Sequence, residues 1–188
     1  MKNLFVTIFL LFSIISFSQE EEKIKHNEFK INAFNTIIFK SVEFSYEYLI
    51  DSESSFGVSF LFNLQDSDPK NFEDGPYYNE KFAFTPFYRH YFSGRYAWGF
   101  FLEAFGMYNQ QENINGQFDF FNEMDELISP DERSNNVAAG ISVGGKFVSQ
   151  KGFVFEFYGG VGRNLYTSND DFATEIVPRL GASLGYRF

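Results

Sequence analysis

The sequence predicts an all-β fold, an eight-stranded antiparallel up-and-down transmembrane β-barrel, and three observations carry that expectation. Eight runs, each about as long as a tilted membrane strand, follow one another with alternating apolar and polar positions. Aromatic residues make up 21% of the chain, with 28 Phe, yet after residue 18 no stretch approaches the roughly 18 continuous apolar residues of a membrane helix. The chain also closes on a strict two-residue rhythm. Leu180, Ala182, Leu184, Tyr186 and Phe188 point one way, and Arg179, Gly181, Ser183, Gly185 and Arg187 the other. Composition alone leaves a second option open, a secreted β protein with a Phe-rich core.

Residues 1–18 have the pattern of an export signal. Lys2 supplies the positive end, Leu4 to Phe17 the apolar core, and Ser16-Phe17-Ser18 a small-x-small cleavage site. Cleavage between Ser18 and Gln19 changes the formal charge from −10 to −11 through loss of Lys2. Such acidity argues against nucleic acid as a partner. The chain has no cysteine, which excludes disulfide staples and a lipid anchor at the cleavage point. Residues 19–27 read as a charged periplasmic lead-in, and 28–188 as one barrel domain.

The strand-like runs fall near 28–38, 41–50, 55–64, 81–92, 97–110, 136–149, 152–166 and 174–188. Tight turns follow the second, fourth and sixth runs, at Asp51–Ser54, Ser93–Tyr96 and Gln150-Lys151. Longer loops follow the third, fifth and seventh, at about 65–80, 111–135 and 167–173. Only the first connection, around Lys40, is short where a long one is expected. Antiparallel strands place alternate connections at opposite ends, so short turns and termini share one end and the long loops the other. Residues 65–80 carry a balance of −4, residues 111–135 a balance of −6, and Asp170 and Asp171 add two more negative charges. The charge of the chain is therefore concentrated at the loop end.

Alternation assigns each strand a face. Val42, Phe44, Tyr46 and Tyr48, then Phe56, Val58, Phe60 and Phe62, then Phe153, Phe155 and Phe157 point outward. The inward set holds Glu43, Glu47, Glu103 and Glu156 against Arg89, Lys146, Arg179 and Arg187, four acids and four bases. An eight-stranded barrel is only wide enough inside for side chains to fill it. These eight are therefore expected to interlock, with Glu156 near both Arg187 and Lys146, and Arg89 near Glu103. A salt-bridged plug is one outcome, a narrow ion or proton path the other. Pro86 removes a ladder hydrogen bond and predicts a bulge or kink.

The signal at 1–18, the strand end Tyr88-Arg89-His90-Tyr91, the glycine-rich runs Gly140 to Gly145 and Gly159 to Gly162, and the ending Gly185-Tyr186-Arg187-Phe188 together resemble the small outer-membrane barrels of the OmpA/OmpX type. The likeness is strongest to uncharacterised barrels of Bacteroidota-type bacteria. It implies a location in the bacterial outer membrane, contact with its lipid and lipopolysaccharide, and recognition of Tyr186 and Phe188 by the barrel-assembly machinery. The glycine before that terminal signal is out of its usual register.

No motif names a reaction, a cofactor or a metal. The resemblance admits lipid A enzymes, which use a His, a Ser and an acid at the outer-leaflet end. His26 falls in the lead-in and His90 at the turn end, so neither reaches that position. Asp66, Asp68 and the stretch Asp119 to Glu126 are oxygen-rich but lack EF-hand spacing. They read as solvated acidic loops, with weak divalent bridging to lipopolysaccharide phosphates as a use. Phe118, Phe120, Phe121 and Met124 are apolar residues in the acidic third loop, a surface for contacting a partner or a cover for the barrel mouth. The expected role is a non-enzymatic envelope protein; a narrow channel is the alternative. Intact mass of the exported protein should match a chain beginning at Gln19, and retention of Met1 would refute the signal.

Overall fold

The computed structural model describes residues 25–64, 80–112, 133–169 and 175–188. Eight strands run in order around one closed antiparallel barrel. They are β1 Asn27–Asn32, β2 Ser41–Leu49, β3 Ser54–Asn63, β4 Glu80–Tyr91, β5 Gly99–Glu112, β6 Arg133–Val148, β7 Phe153–Thr167 and β8 Ile176–Arg187. Stepping across paired residues from Glu28 gives Glu47, Gly57, Phe87, Phe105, Gly140, Gly162 and Val177. Val177 lies ten residues short of Arg187, the residue of β8 that faces Glu28. That stagger is the tilt which lets a flat ladder close on itself.

The first strand is shorter than expected. The run at 28–38 divides into β1 and a six-residue helix, α1, Ala33–Ile38. Asn32 is the reason: its side chain accepts the Asn35 N–H at 3.2 Å, and Thr36 Oγ1 donates to the Asn32 carbonyl at 3.0 Å. Ile37-Ile38-Phe39 also breaks the two-residue rhythm that a strand needs. Lys40, at φ 50°, then turns the chain into β2. Among the described residues no helix is long and apolar enough to cross a membrane.

The expected faces hold in every strand where they were assigned. Outward positions so assigned are half-buried to exposed, and inward ones are buried except Ser45, Gly160 and Gly185, which are half-buried. Pro86 interrupts the β4–β5 ladder, since pairing resumes from Phe84↔Tyr108 to Phe87↔Phe105. The register is the same on both sides, so the expected bulge is not at Pro86. The irregularities lie between Glu80 and Phe82 and between Val137 and Ala138. At the turn end, residues 92–98 fold under the barrel: Tyr91 N–H and Ala97 N–H donate to the Glu53 and Ser52 carbonyls at 2.7 and 2.8 Å. Ala97 is thereby fully buried at the floor of the lumen.

Inside, rings and glycines take turns. A Cβ on Gly140 would sit 2.5 Å from both the Gly162 Cα and the Phe105 ring. The backbones of β6 and β7 approach here because neither residue has a side chain, and Phe105 fills the space. Gly140→Leu should overpack this point and destabilise the barrel by about 1–3 kcal/mol, read as a lower denaturant midpoint. Gly94→Ala is the control, because nothing lies within 4 Å of that Cβ position. Equal stability of the two variants would refute the packing argument.

Candidate functional site

Ten ionised side chains form one connected cluster in the lumen, five carboxylates and five cations. Glu43, Glu47, Arg89, Glu103, Lys146, Glu156, Arg179 and Arg187, all expected from alternation, are brought together. Glu28 and Lys30 of β1 complete the set. Their signal was present as Glu28-x-Lys30 alternating with Phe29 and Ile31, but it is only one period long before α1 interrupts it.

Glu47 is the hub. It accepts from Lys30, from Arg89 Nη1 at 2.9 Å and from Lys146 Nζ at 2.8 Å. Lys30 and Arg89 bond its Oε2, and the Ser55 and Tyr91 hydroxyls each donate at 2.5 Å to the Oε1 that Lys146 also bonds. Glu156 faces Lys30 at 2.8 Å and Arg89 at 2.9 Å, with Lys146 farther off at 3.9 Å. Arg89 uses its Nε for Glu103 at 2.7 Å, and Glu103 also takes the Nε of Arg179 at 2.7 Å. Arg179 reaches on to Glu43 at 3.4 Å. Arg187 pairs with Glu28 at 2.6 Å rather than with Glu156, because the register sets Glu28 opposite Arg187 and Glu156 opposite Ser183. Its remaining N–H groups donate to the Tyr96 and Ala97 carbonyls at 3.0 and 2.8 Å, tying β8 to the folded-under turn.

Room for these long side chains comes from small residues on the adjoining strands. Lys30 lies opposite Ser45 and Gly185, Glu47 opposite Gly57, and Arg89 opposite Ser55. Glu103 lies opposite Ser142, and Arg179 opposite Gly160. Apolar layers close the cluster on both sides. Leu49, Tyr91, Ala97 and Phe101 pack toward the turns, and Tyr158 of the same group lies among the ions, its ring beside Arg89 and Arg179. Leu61, Ala83, Phe87, Phe105, Met107, Ala138 and Val177 pack toward the loops. The Arg89 guanidinium lies between the Phe87 and Phe101 rings, 4.5 and 4.4 Å from their centroids.

The carboxylates of Glu28, Glu47 and Glu156 approach within 4.8 Å of one another, a spacing that suits a cation. The ammonium groups already fill that role, since Lys146 lies 2.7 Å from Glu28 and 2.8 Å from Glu47, and Lys30 lies 2.8 Å from Glu156. A metal ion would have to displace a lysine.

Glu80, counted with the third-to-fourth strand loop in the sequence, belongs to β4 and is buried, with Gln111 Nε2 donating to it at 3.4 Å. His26 Nδ1 lies within bonding distance of the Leu49 carbonyl (2.9 Å) and the Tyr96 hydroxyl (3.0 Å). Partial burial holds the Tyr96 phenol above its ordinary range, so it keeps its proton. His90 lies opposite Ser54 at the turn end, its ring against Phe92. Tyr186 and Phe188 are outward, and the Phe188 backbone is paired with Asn27 at 2.8 and 3.1 Å. Ser18, Gln19, Asp66, Asp68, Phe118, Phe120, Phe121 and Met124 lie outside the described residues. Comparison with protein-family models, with curated proteins and with solved structures finds no match to this chain.

The geometry describes a buried, charge-balanced cluster in which most ions depend on several others. Removing one partner leaves a buried charge without its complement, which costs about 3–5 kcal/mol. Glu47→Gln and Lys146→Met should each destabilise the barrel by that order, followed by Trp98 fluorescence in denaturant. The double variant removes one charge of each sign and should lose clearly less than the two single losses combined. Strict additivity would mean that the two side chains do not act as a pair.

Proposed function

We propose that this chain is a small outer-membrane β-barrel of the OmpA/OmpX-like kind, and that its role is non-enzymatic. On this reading it contributes to envelope structure and presents acidic loops for surface interaction. The observation that carries the reading is an uncharged, largely aromatic outer wall around a charge-balanced cluster of buried ions. Outward positions from Val42 to Tyr48, Phe56 to Phe62, Phe82 to Tyr88, Val137 to Phe147, Phe153 to Val161 and Leu180 to Tyr186 include no charged residue. Phe56, Phe100, Ile141 and Leu184 are each more than half exposed, at 51, 55, 59 and 57%. A continuous belt of this kind drives association in water, whereas hydrocarbon accepts it. A closed ladder also leaves no unpaired edge around most of the wall, which hydrocarbon requires.

Tyr46, Tyr48, Tyr88, Trp98, Tyr108, Tyr166, Tyr186 and Phe188 fall toward strand ends, as aromatic residues at a membrane interface do. Lipid and lipopolysaccharide would be the immediate surroundings, and the barrel-assembly machinery would read Tyr186 and Phe188. The acidic loops, with Phe118, Phe120, Phe121 and Met124, would supply the external contact. The packed lumen favours this role over a constitutive channel.

The expected outcome is recovery in the outer-membrane fraction with heat-modifiable gel migration, and no conductance from the refolded protein in planar bilayers. A detergent-independent, monodisperse soluble protein would refute the membrane reading. Steady single-channel currents would replace the structural role with transport.

A further inference from the structure

The barrel wall has a gap in its ladder. β8 is twelve residues long, but β1 pairs only with its Ser183–Arg187 part. Beyond Asn32 the chain becomes α1, which packs between β8 and β2. The Asn32 side chain stands in for the absent strand. Its Nδ2 donates to the Leu180 carbonyl and its Oδ1 accepts the Ala182 N–H, both at 3.2 Å. Pro178 falls on the same edge by alternation and has no N–H to satisfy there.

Behind this gap lies Asn35, the buried residue of α1, 3% exposed. Its Nδ2 donates to Glu43 Oε2 at 2.7 Å. That bond sets the amide orientation, because the opposite one would turn a carbonyl oxygen toward a carboxylate. Asn35 Oδ1 is thus aimed away from Glu43, and among the described residues it is a buried side-chain acceptor without a hydrogen-bond donor. A cavity of about 10 Å³ adjoins it, bounded by Asn35, Glu43, Thr85 and Arg179 with Leu61 and Met107. That is about the room one water needs.

We propose that this cavity is a binding site for a single water molecule, held by Asn35 Oδ1 and the Thr85 hydroxyl beside the Glu43–Arg179 pair, with α1 as the wedge that retains it. Asn35 Oδ1 calls for a donor, which disfavours an anion. The Arg179 guanidinium in the same wall disfavours a metal cation. The volume excludes larger solutes. A water satisfies both requirements, donating to Asn35 and exchanging a hydrogen bond with Thr85.

Water-to-protein cross-relaxation measured by NMR on the folded full-length chain tests this. A long-lived water should give a cross-peak to the Asn35 side-chain amide protons, unchanged by added potassium or ammonium chloride. Thr85→Val, which keeps the shape and removes the hydroxyl, should weaken that peak severalfold. Asn35→Leu should abolish water contacts to the neighbouring Thr85. Absence of the peak in the wild-type protein would overturn the proposal. So would its displacement by either salt, which would mark a cation site, or full intensity in Thr85→Val. Thr85→Val decides the matter even if Asn35→Leu does not fold.

Discussion

Charge balance among ions buried in a lumen filled by side chains is the constraint on which the barrel depends. A single carboxylate or ammonium taken out of water costs several kcal/mol unless close partners replace its hydration. Here the replacement is collective. Glu47 is met by three cations and two hydroxyls, and Arg89 by three carboxylates. No pair can be lifted out as a unit. Apolar replacement of a buried pair is often neutral or stabilising, so the ions are better understood as setting which inward residues meet than as a net source of stability. Small residues opposite the long ones and rings opposite glycines follow from the same need for space.

The outer wall obeys a complementary rule. Away from the loop end the strands place their charges inward, so a shift of one residue would bury phenylalanines among the ions and expose the ions outside. Phe60 against Phe84 and Phe62 against Phe82 pack as tilted pairs on the outside, with centroids 5.0 and 5.3 Å apart, while Ser59 and Leu61 face inward. Register is therefore specified twice, by the face that excludes charge and by the face that requires it.

Two-residue alternation made both faces legible from the sequence, and eight of the ten ions with them. Arg89 and Glu103 were placed as neighbours because one tight turn separates their strands. Order along the chain points Arg187 at Glu156, whereas the structure gives it to Glu28, because β8 borders both β7 and β1 and proximity in sequence says nothing about the closing seam. Glu28 and Lys30 are hard to read for a related reason: β1 is too short for its rhythm to stand out. The helix α1 was hidden because Ile37, Ile38 and Phe39 suit a strand by composition. The Asn32 cap, a side-chain to backbone bond, ends β1 early. The cavity at Asn35 depends on that helix and could not be anticipated without it.

The distribution of ions along the chain has a consequence for assembly. β1 carries one acid and one base, and β2 adds Glu43 and Glu47. Arg89 on β4 offsets one of these, Glu103 on β5 restores the excess, Lys146 on β6 offsets it again and Glu156 on β7 restores it once more. Every partial barrel from β2 onward therefore holds at least one surplus carboxylate. Only β8, with Arg179 and Arg187, brings this ten-ion cluster to neutrality; the buried Glu80 of β4 lies outside it, beside Gln111. The same strand supplies the partner of Glu28 across the seam and the two N–H groups that fasten the folded-under turn. Contacts such as Lys30–Glu156 and Arg179–Glu103 span 126 and 76 residues of sequence, so they form late, after the cost of ordering the intervening chain. An unclosed sheet keeps its surplus acids hydrated and its lumen open. Docking β8 expels that water and completes the ion network in one step, which makes closure cooperative and dependent on the last strand.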